Sequence, residues 1–320
     1  ALVLSLGFYL INPFVLSPEA AKATSVALFM IILWVSEVVP MSVVALMPLV
    51  LQPALGIAPI EEVAKAYSNP VVFLFMGGFM IGLAIEKWNL HKRIALTIVD
   101  KTGTSGDRII LGFIAATGFL SMWLSNTATT MMMFPIALSV INVMRNHEHE
   151  GGNLANFSLV LMLVIAYASN IGGMATLIGT PPNVAFSSLI EKRYGHAVDF
   201  FDWMVVCAPL AMVLLFCLYI VLTKWMYPNR IRKSDDAAAY ISHELQKMGA
   251  LNKAESRVLI IFVCTAGLWI FKDLLNPLLP FKLDDNMIAL IGAISLFLVL
   301  VASRKVIFNQ NGPALAVLIL

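Results

Sequence analysis

The sequence predicts an all-α polytopic membrane protein. Of its 320 residues 60% are hydrophobic, only 12% are charged, and the hydrophobic residues gather in long runs. An ordinary soluble domain is about 25% charged, and so few charges leave too little polar surface to clothe a soluble fold of this size. The same figures exclude a disordered chain and a disulfide-stapled secreted module. A net charge of +2 gives no electrostatic footprint for nucleic acid. Cys207, Cys217 and Cys264 lie in apolar runs and read as small buried hydrophobes. The chain opens and closes inside apolar runs, so a longer native protein is expected.

Apolar runs fall near 2–16, 21–36, 41–57, 71–86, 109–124, 128–143, 154–170, 183–190, 203–223, 257–275 and 286–302. A bilayer core takes about 20 helical residues, a length that 203–223 and 257–275 satisfy. Fifteen of the 21 Lys and Arg residues fall in 87–108, 145–153, 224–257 and 303–305, which puts those segments and the N-terminus on the cytoplasmic side of a cell (inner) membrane. Trp34, Trp88, Trp123, Trp203, Trp225 and Trp269 mostly sit at run ends, where interfacial anchors belong. The polar, Lys-rich stretch 229–257 reads as a solvated interfacial helix. Met131, Met132 and Met133 read as packing filler, and His147-Glu148-His149 as a solvated turn, its spacing being wrong for a helical metal pair.

With both flanks cytoplasmic, the two 16-residue runs between Ile109 and Met144 must go in and return. Each is about 24 Å long at 1.5 Å per residue, short for a full span, so a re-entrant hairpin is expected with Ser125-Asn126-Thr127 at its tip. Its first arm is expected to end at Leu124 and its second to start near Thr127. A second irregularity follows. The run from 154 meets Ser169-Asn170-Ile171-Gly172-Gly173 and then Gly179-Thr180-Pro181-Pro182-Asn183. A helix should end at the glycine pair, in the αL geometry glycine favours, and another should begin at Pro181 with Thr180 as N-cap. Backbone broken at membrane depth is tolerated where it is buried or lines a polar cavity, and such breaks point to a transporter's binding site.

The chemistry of the two breaks is complementary. Helix C-terminal carbonyls, the Ser121 and Ser125 hydroxyls and the Asn126 amide oxygen are hard ligands suited to Na⁺, as are carbonyls near Gly172 and Gly173. The helix N-termini at Asn126-Thr127 and after Thr180 suit a carboxylate. No Asp, Glu, Lys or Arg occurs in 109–144 or in 151–190. A proton relay through the membrane needs an ionisable residue, so coupling to Na⁺ through neutral oxygens is favoured. Ser-Asn-Thr by itself suits helix packing equally well; the flanking topology and the charge-free context are what favour a site. An enzyme is not expected, because His91, His147, His149, His196 and His243 all lie in polar segments. An uncoupled anion channel or uniporter is the main alternative.

A faint inverted repeat adds to this. Leu33-Trp34 and Leu268-Trp269, 235 residues apart, each precede a Pro-containing turn and an apolar stretch. The same offset carries Asn126 past Leu320, so a second hairpin tip is expected beyond this chain.

Ser125-Asn126-Thr127, Ser169 to Gly173, Gly179 to Asn183 and the form Leu-Trp-x-x-Glu-x-x-Pro at Leu33 to Pro40 together resemble the divalent anion–sodium symporter family, over roughly residues 20–300. The resemblance implies a homodimeric, elevator-type transporter with an inverted repeat, a re-entrant hairpin and a broken transmembrane helix. It implies sodium held by Ser121, Ser125 and Asn126 with backbone at Gly173 or Gly179, and a dianion at Ser125, Asn126, Thr127 and Thr180. The expected cargo is a C4-dicarboxylate such as succinate, malate or fumarate, with sulfate or citrate as alternatives. The expected parts are N-terminal, largely scaffold spans (1–108), a transport part (109–190: hairpin 109–144, broken helix 154–190), a span with an interfacial helix (191–256) and the start of a second repeat (257–320). Nothing after Ala302 matches the family's second Ser-Asn-Thr half.

Overall fold

The computed structural model describes residues 1–103, 105–146, 153–196, 198–231 and 235–301. His147, Glu148 and His149 and the tail from Ser303 lie outside the described residues. Among the described residues the regular structure is helical throughout. Six helices there are long and apolar enough to cross a membrane. The chain divides into two compact units, residues 1–72 and 73–320.

The first unit holds α1 (Leu2–Ile11), α2 (Pro18–Ser36), α3 (Met41–Leu46), α4 (Pro48–Ala54) and α5 (Ile60–Tyr67). Ser17 caps α2 by accepting from the Ala20 N–H, and Pro18 occupies its first position, where a missing N–H costs nothing. The run 41–57 does not form one helix. Pro48 has no N–H to continue the ladder, so the chain divides into α3 and α4 at Met47.

The second unit is built on α6 (Pro70–Lys87), α7 (Leu90–Thr102), α8 (Gly106–Ser121), α9 (Asn126–Asn146), α10 (Leu154–Gly173), α11 (Pro181–Tyr194), α12 (Phe200–Ile220), α13 (Asp235–Lys247), α14 (Lys253–Leu275) and α15 (Asp285–Val301). A π-helical turn, Val221–Met226, prolongs α12 into a 27-residue apolar span. Phe113 of α8, Met133 and Met144 of α9 and Phe157 and Val164 of α10 are fully buried together in the core. Of the three consecutive methionines only Met133 is core, because helical geometry turns Met131 outward.

The hairpin arms are unequal. The first, α8, stops at Ser121 rather than Leu124, and Met122 to Leu124 form the turn. The second, α9, starts at Asn126 and runs 21 residues, about 31 Å at 1.5 Å per residue. Polar residues at both ends extend it well past its apolar run.

Several charged and polar side chains lie deeper than the sequence suggests. Lys272 is buried near the end of α14. Its Nζ lies 2.9 Å from Asp199 and 3.0 Å from Asp285, whose other carboxylate oxygen accepts from the Phe200 N–H at 2.7 Å. Trp269 is fully buried rather than interfacial: it stacks on Phe200 at 4.6 Å and donates to the Asp285 carbonyl. Cys217 and Cys264 point outward instead of into the protein, and Cys207 is half-buried; all three are free thiols. Helix α13, in the polar stretch, docks on α7. Glu244 takes ion pairs from Lys92 (3.2 Å) and Lys247 (2.9 Å), while Arg93 donates to the Met248 and Gly249 carbonyls and pairs with Glu255.

His91, in a polar segment by sequence, is buried on α7 with Nδ1 3.3 Å from the Ile85 carbonyl. Burial pushes its imidazole below the usual value, against the raising influence of that carbonyl and Glu86. An unfolded chain then takes up this proton at higher pH than the folded one, so stability is lost as pH falls below the ordinary imidazole range. In detergent, the unfolding midpoint of the wild type should drop more between pH 7.5 and pH 5.5 than that of His91→Gln; equal drops would show that His91 plays no part.

Candidate functional site

The two chain breaks meet. Ser121 closes α8, and its Oγ lies 2.9 Å from Asn126 Oδ1 and 2.6 Å from the Ser169 carbonyl oxygen of α10. Ser121 and Ser169 are buried, and Asn126 is half-buried. Thr130, one turn into α9, donates to the Asn126 carbonyl or to Ser169 Oγ, each 2.8 Å away. Asn126 Nδ2 donates to Asn170 Oδ1 at 3.1 Å.

The glycines permit this approach, and they do so for a reason different from the one expected. At the end of α10 the capping residue is Met174 in the right-handed α region, so no αL glycine ends the helix. A Cβ on Gly172 would run into the Gly118 backbone of α8, and one on Gly173 into the Asn126 amide oxygen. A Cβ on Gly179 would strike the Gly173 carbonyl. Bare backbone at these three positions brings hairpin and broken helix into contact.

The loop from Met174 to Thr180 is braced by Asn183. Its Nδ2 donates to the Gly173 and Thr176 carbonyls, both at 2.8 Å, and Thr176 Oγ1 donates to the Met122 carbonyl at 2.5 Å across the tip. Trp203 fixes Met174 by donating to its carbonyl at 2.9 Å. Helix α6 supports both breaks through glycines: Gly82 packs on Leu124 of the hairpin turn and Gly78 on Ile178 of the loop. Trp123, also expected at an interface, is instead packed edge-on to Phe262 at 4.9 Å and stacked near Phe200.

The expected site residues therefore divide. Ser121, Asn126, Gly173 and Gly179 are brought together. Ser125 sits beside them as the N-cap of α9, its Oγ accepting from the Ala128 N–H at 3.3 Å and its carbonyl from the Thr129 N–H at 2.9 Å. Thr127 is exposed in the first turn of α9. Thr180 has the extended backbone of an N-cap before Pro181, but its hydroxyl does not cap α11. Ser169, Asn170, Thr130, Thr176 and Asn183 complete the site and were not assigned to it from sequence. One signal was available: the dipeptide Ser-Asn occurs at both breaks, as Ser125-Asn126 and Ser169-Asn170.

Chemically, the cluster is an excess of oxygen. Ser121 has one hydroxyl proton and faces two acceptors, Asn126 Oδ1 and the Ser169 carbonyl. One of the two contacts is oxygen against oxygen without a proton. No Asp, Glu, Lys, Arg or His lies in either stretch to relieve it. Such a place suits a small hard cation, whose charge replaces the missing proton.

Long apolar helices and backbone broken at a polar cluster define a multi-pass membrane protein. Its whole length, residues 1–320, matches the family described as the sodium:sulfate symporter transmembrane region, and the chain belongs to that family. It is 35% identical over 303 residues to the sodium-dependent dicarboxylate transporter SdcS of Staphylococcus saprophyticus, covering 93% of this chain and 58% of that protein. It is 36% identical over 271 residues to SdcS of Staphylococcus aureus strain NCTC 8325, covering 83% of this chain and 52% of that protein. The chain thus spans little more than half the length of these relatives.

Proposed function

We propose that the protein is a sodium-coupled symporter of small dianions, C4-dicarboxylates such as succinate, malate and fumarate foremost. The observation that carries the reading is the proton-deficient oxygen cluster of Ser121, Asn126 and the Ser169 carbonyl, in a segment without charged residues. Sodium binds there first, with Ser125 and the Gly173 and Gly179 backbone completing its surroundings. The dianion follows, recognised by the N–H groups at the start of α9, by the Asn126 and Thr127 side chains and by the N-terminus of α11 at Thr180. With no Lys or Arg in these stretches, helix ends and bound Na⁺ supply the positive charge.

In this reading α8 and α9 form a re-entrant hairpin, α10 and α11 are one broken span, and the N-terminus is cytoplasmic in the cell membrane. Residues 109–190 are the moving part of an elevator in a homodimer, 1–108 mostly scaffold, 191–256 a connecting span with its interfacial helix, and 257–320 the opening of the second repeat. Two or more Na⁺ accompany each dianion, because moving net negative charge inward against about 100 mV costs about 2.3 kcal/mol per charge.

Labelled succinate uptake into proteoliposomes should be saturable in a Na⁺ gradient and near background in choline. Equal uptake in the two salts would remove the coupling. The family's description names sulfate, which supports a second reading in which sulfate is the cargo; failure of excess succinate to compete with labelled sulfate would favour it.

A further inference from the structure

The two ends of the Asn126 amide are chemically opposite, so its orientation decides whether the tip offers a cation an oxygen or an N–H. We infer that Asn170 of α10 is the positioning residue that sets this orientation and thereby keeps the site selective for a cation. The inference rests on the sodium reading above.

Asn170 Nδ2 donates to the Ala166 carbonyl one turn back, at 2.8 Å. Only the N–H end of an amide can face a carbonyl, so Asn170 Oδ1 faces the other way, toward Asn126. Asn126 must meet it with Nδ2, at 3.1 Å, and this turns Asn126 Oδ1 toward Ser121 and Gly173.

The reverse orientation would suit the cluster better in the absence of a cation. Asn126 Nδ2 would donate to Ser121 Oγ, the Ser121 hydroxyl to the Ser169 carbonyl, and every atom there would have a partner. Asn170 forbids this arrangement. The flip sets Asn126 Oδ1 against Asn170 Oδ1 at about the present 3.1 Å separation, two acceptors with no proton between them. Flipping Asn170 as well moves the same conflict to the Ala166 carbonyl. Asn170 therefore holds the Ser121–Asn126–Ser169 oxygens one proton short. It is itself exposed, on the open side of the cluster, and acts through Asn126.

The test is the Na⁺ dependence of succinate uptake by the reconstituted wild type, Asn170→Leu and Asn170→Asp. Leucine removes the acceptor and frees the amide to turn, so half-saturation by Na⁺ should rise about fivefold, the effect of one ordinary hydrogen bond, while the succinate KM at saturating Na⁺ changes little. Aspartate still offers Asn126 an acceptor. Its Na⁺ half-saturation should stay at or below the wild-type value, while its negative charge raises the KM for the dianion. An unchanged Na⁺ half-saturation in Asn170→Leu, or an equal rise in both variants, would overturn the inference. Should Asn170→Leu not survive purification, Asn170→Ala reads the same quantity. Wild-type uptake that ignores Na⁺ would instead defeat the sodium reading, and the inference with it, a result separable because it involves no change at residue 170.

Discussion

Asn126→Ala should abolish Na⁺-dependent uptake of succinate while leaving the protein monodisperse in detergent. Asn126 supplies the amide oxygen that faces Ser121 and the amide nitrogen that donates to Asn170, so under the proposed function one truncation removes both a cation ligand and a dianion donor. Contacts to charged partners contribute about 1.5–3 kcal/mol each, and losing two should cost at least about 100-fold in kcat/KM. The fold has little at stake, because the half-buried side chain leaves and the Thr130 bond to the Asn126 backbone carbonyl remains. Kinetics within about twofold of wild type would remove Asn126 from the site.

Gly172→Ala should be the most damaging single methyl group in the second unit. Its Cβ would lie 2.7 Å from the Gly118 Cα and 2.8 Å from the Gly118 carbonyl carbon, and backbone has no rotamer to yield. Helices α8 and α10 would have to separate, and overpacking of this kind costs about 1–3 kcal/mol or more. The separation would also pull Ser121 from the Ser169 carbonyl, so transport should fail along with stability. Gly267→Ala is the matched control: nothing lies within 4 Å of its Cβ position, mid-way along α14. There alanine should be neutral or stabilising by about 0.5–1 kcal/mol through helix propensity alone. Thermal unfolding in detergent should place Gly172→Ala well below wild type and Gly267→Ala at or above it; indistinguishable midpoints would show that the α8–α10 crossing is not set by Gly172.

Both breaks were legible in the sequence because their signals are local. Charge is absent over 109–144 and 151–190, Pro181 can start a helix, and the Ser-Asn-Thr tip interrupts an apolar run. The helix ends fell within a few residues of the expected positions. Facts that depend on distant partners were not legible. Gly172 and Gly173 suggest a helix end by position, yet what they accommodate lies on α8 and at the hairpin tip. Asn170 reads as one polar residue in a break; its hold on Asn126 exists only because α9 and α10 are adjacent. Lys272 looks like a surface charge until Asp199 and Asp285, 73 and 13 positions away in sequence, are seen around it.

That last cluster bears on how the chain is assembled. A lysine near the end of an apolar span is costly to leave alone in lipid, and an ion pair buried there is tolerable only once its partners are in place. Lys272 finds Asp285 just across the turn that joins α14 to α15, so the two helices can leave the insertion machinery as one unit carrying its own counter-ion. Asp199 comes from the start of α12, synthesised earlier, and Asp285 reaches back to the N–H of Phe200 beside it. The order of synthesis thus places one acceptor, Asp199, before the cation and the closing carboxylate, Asp285, after it.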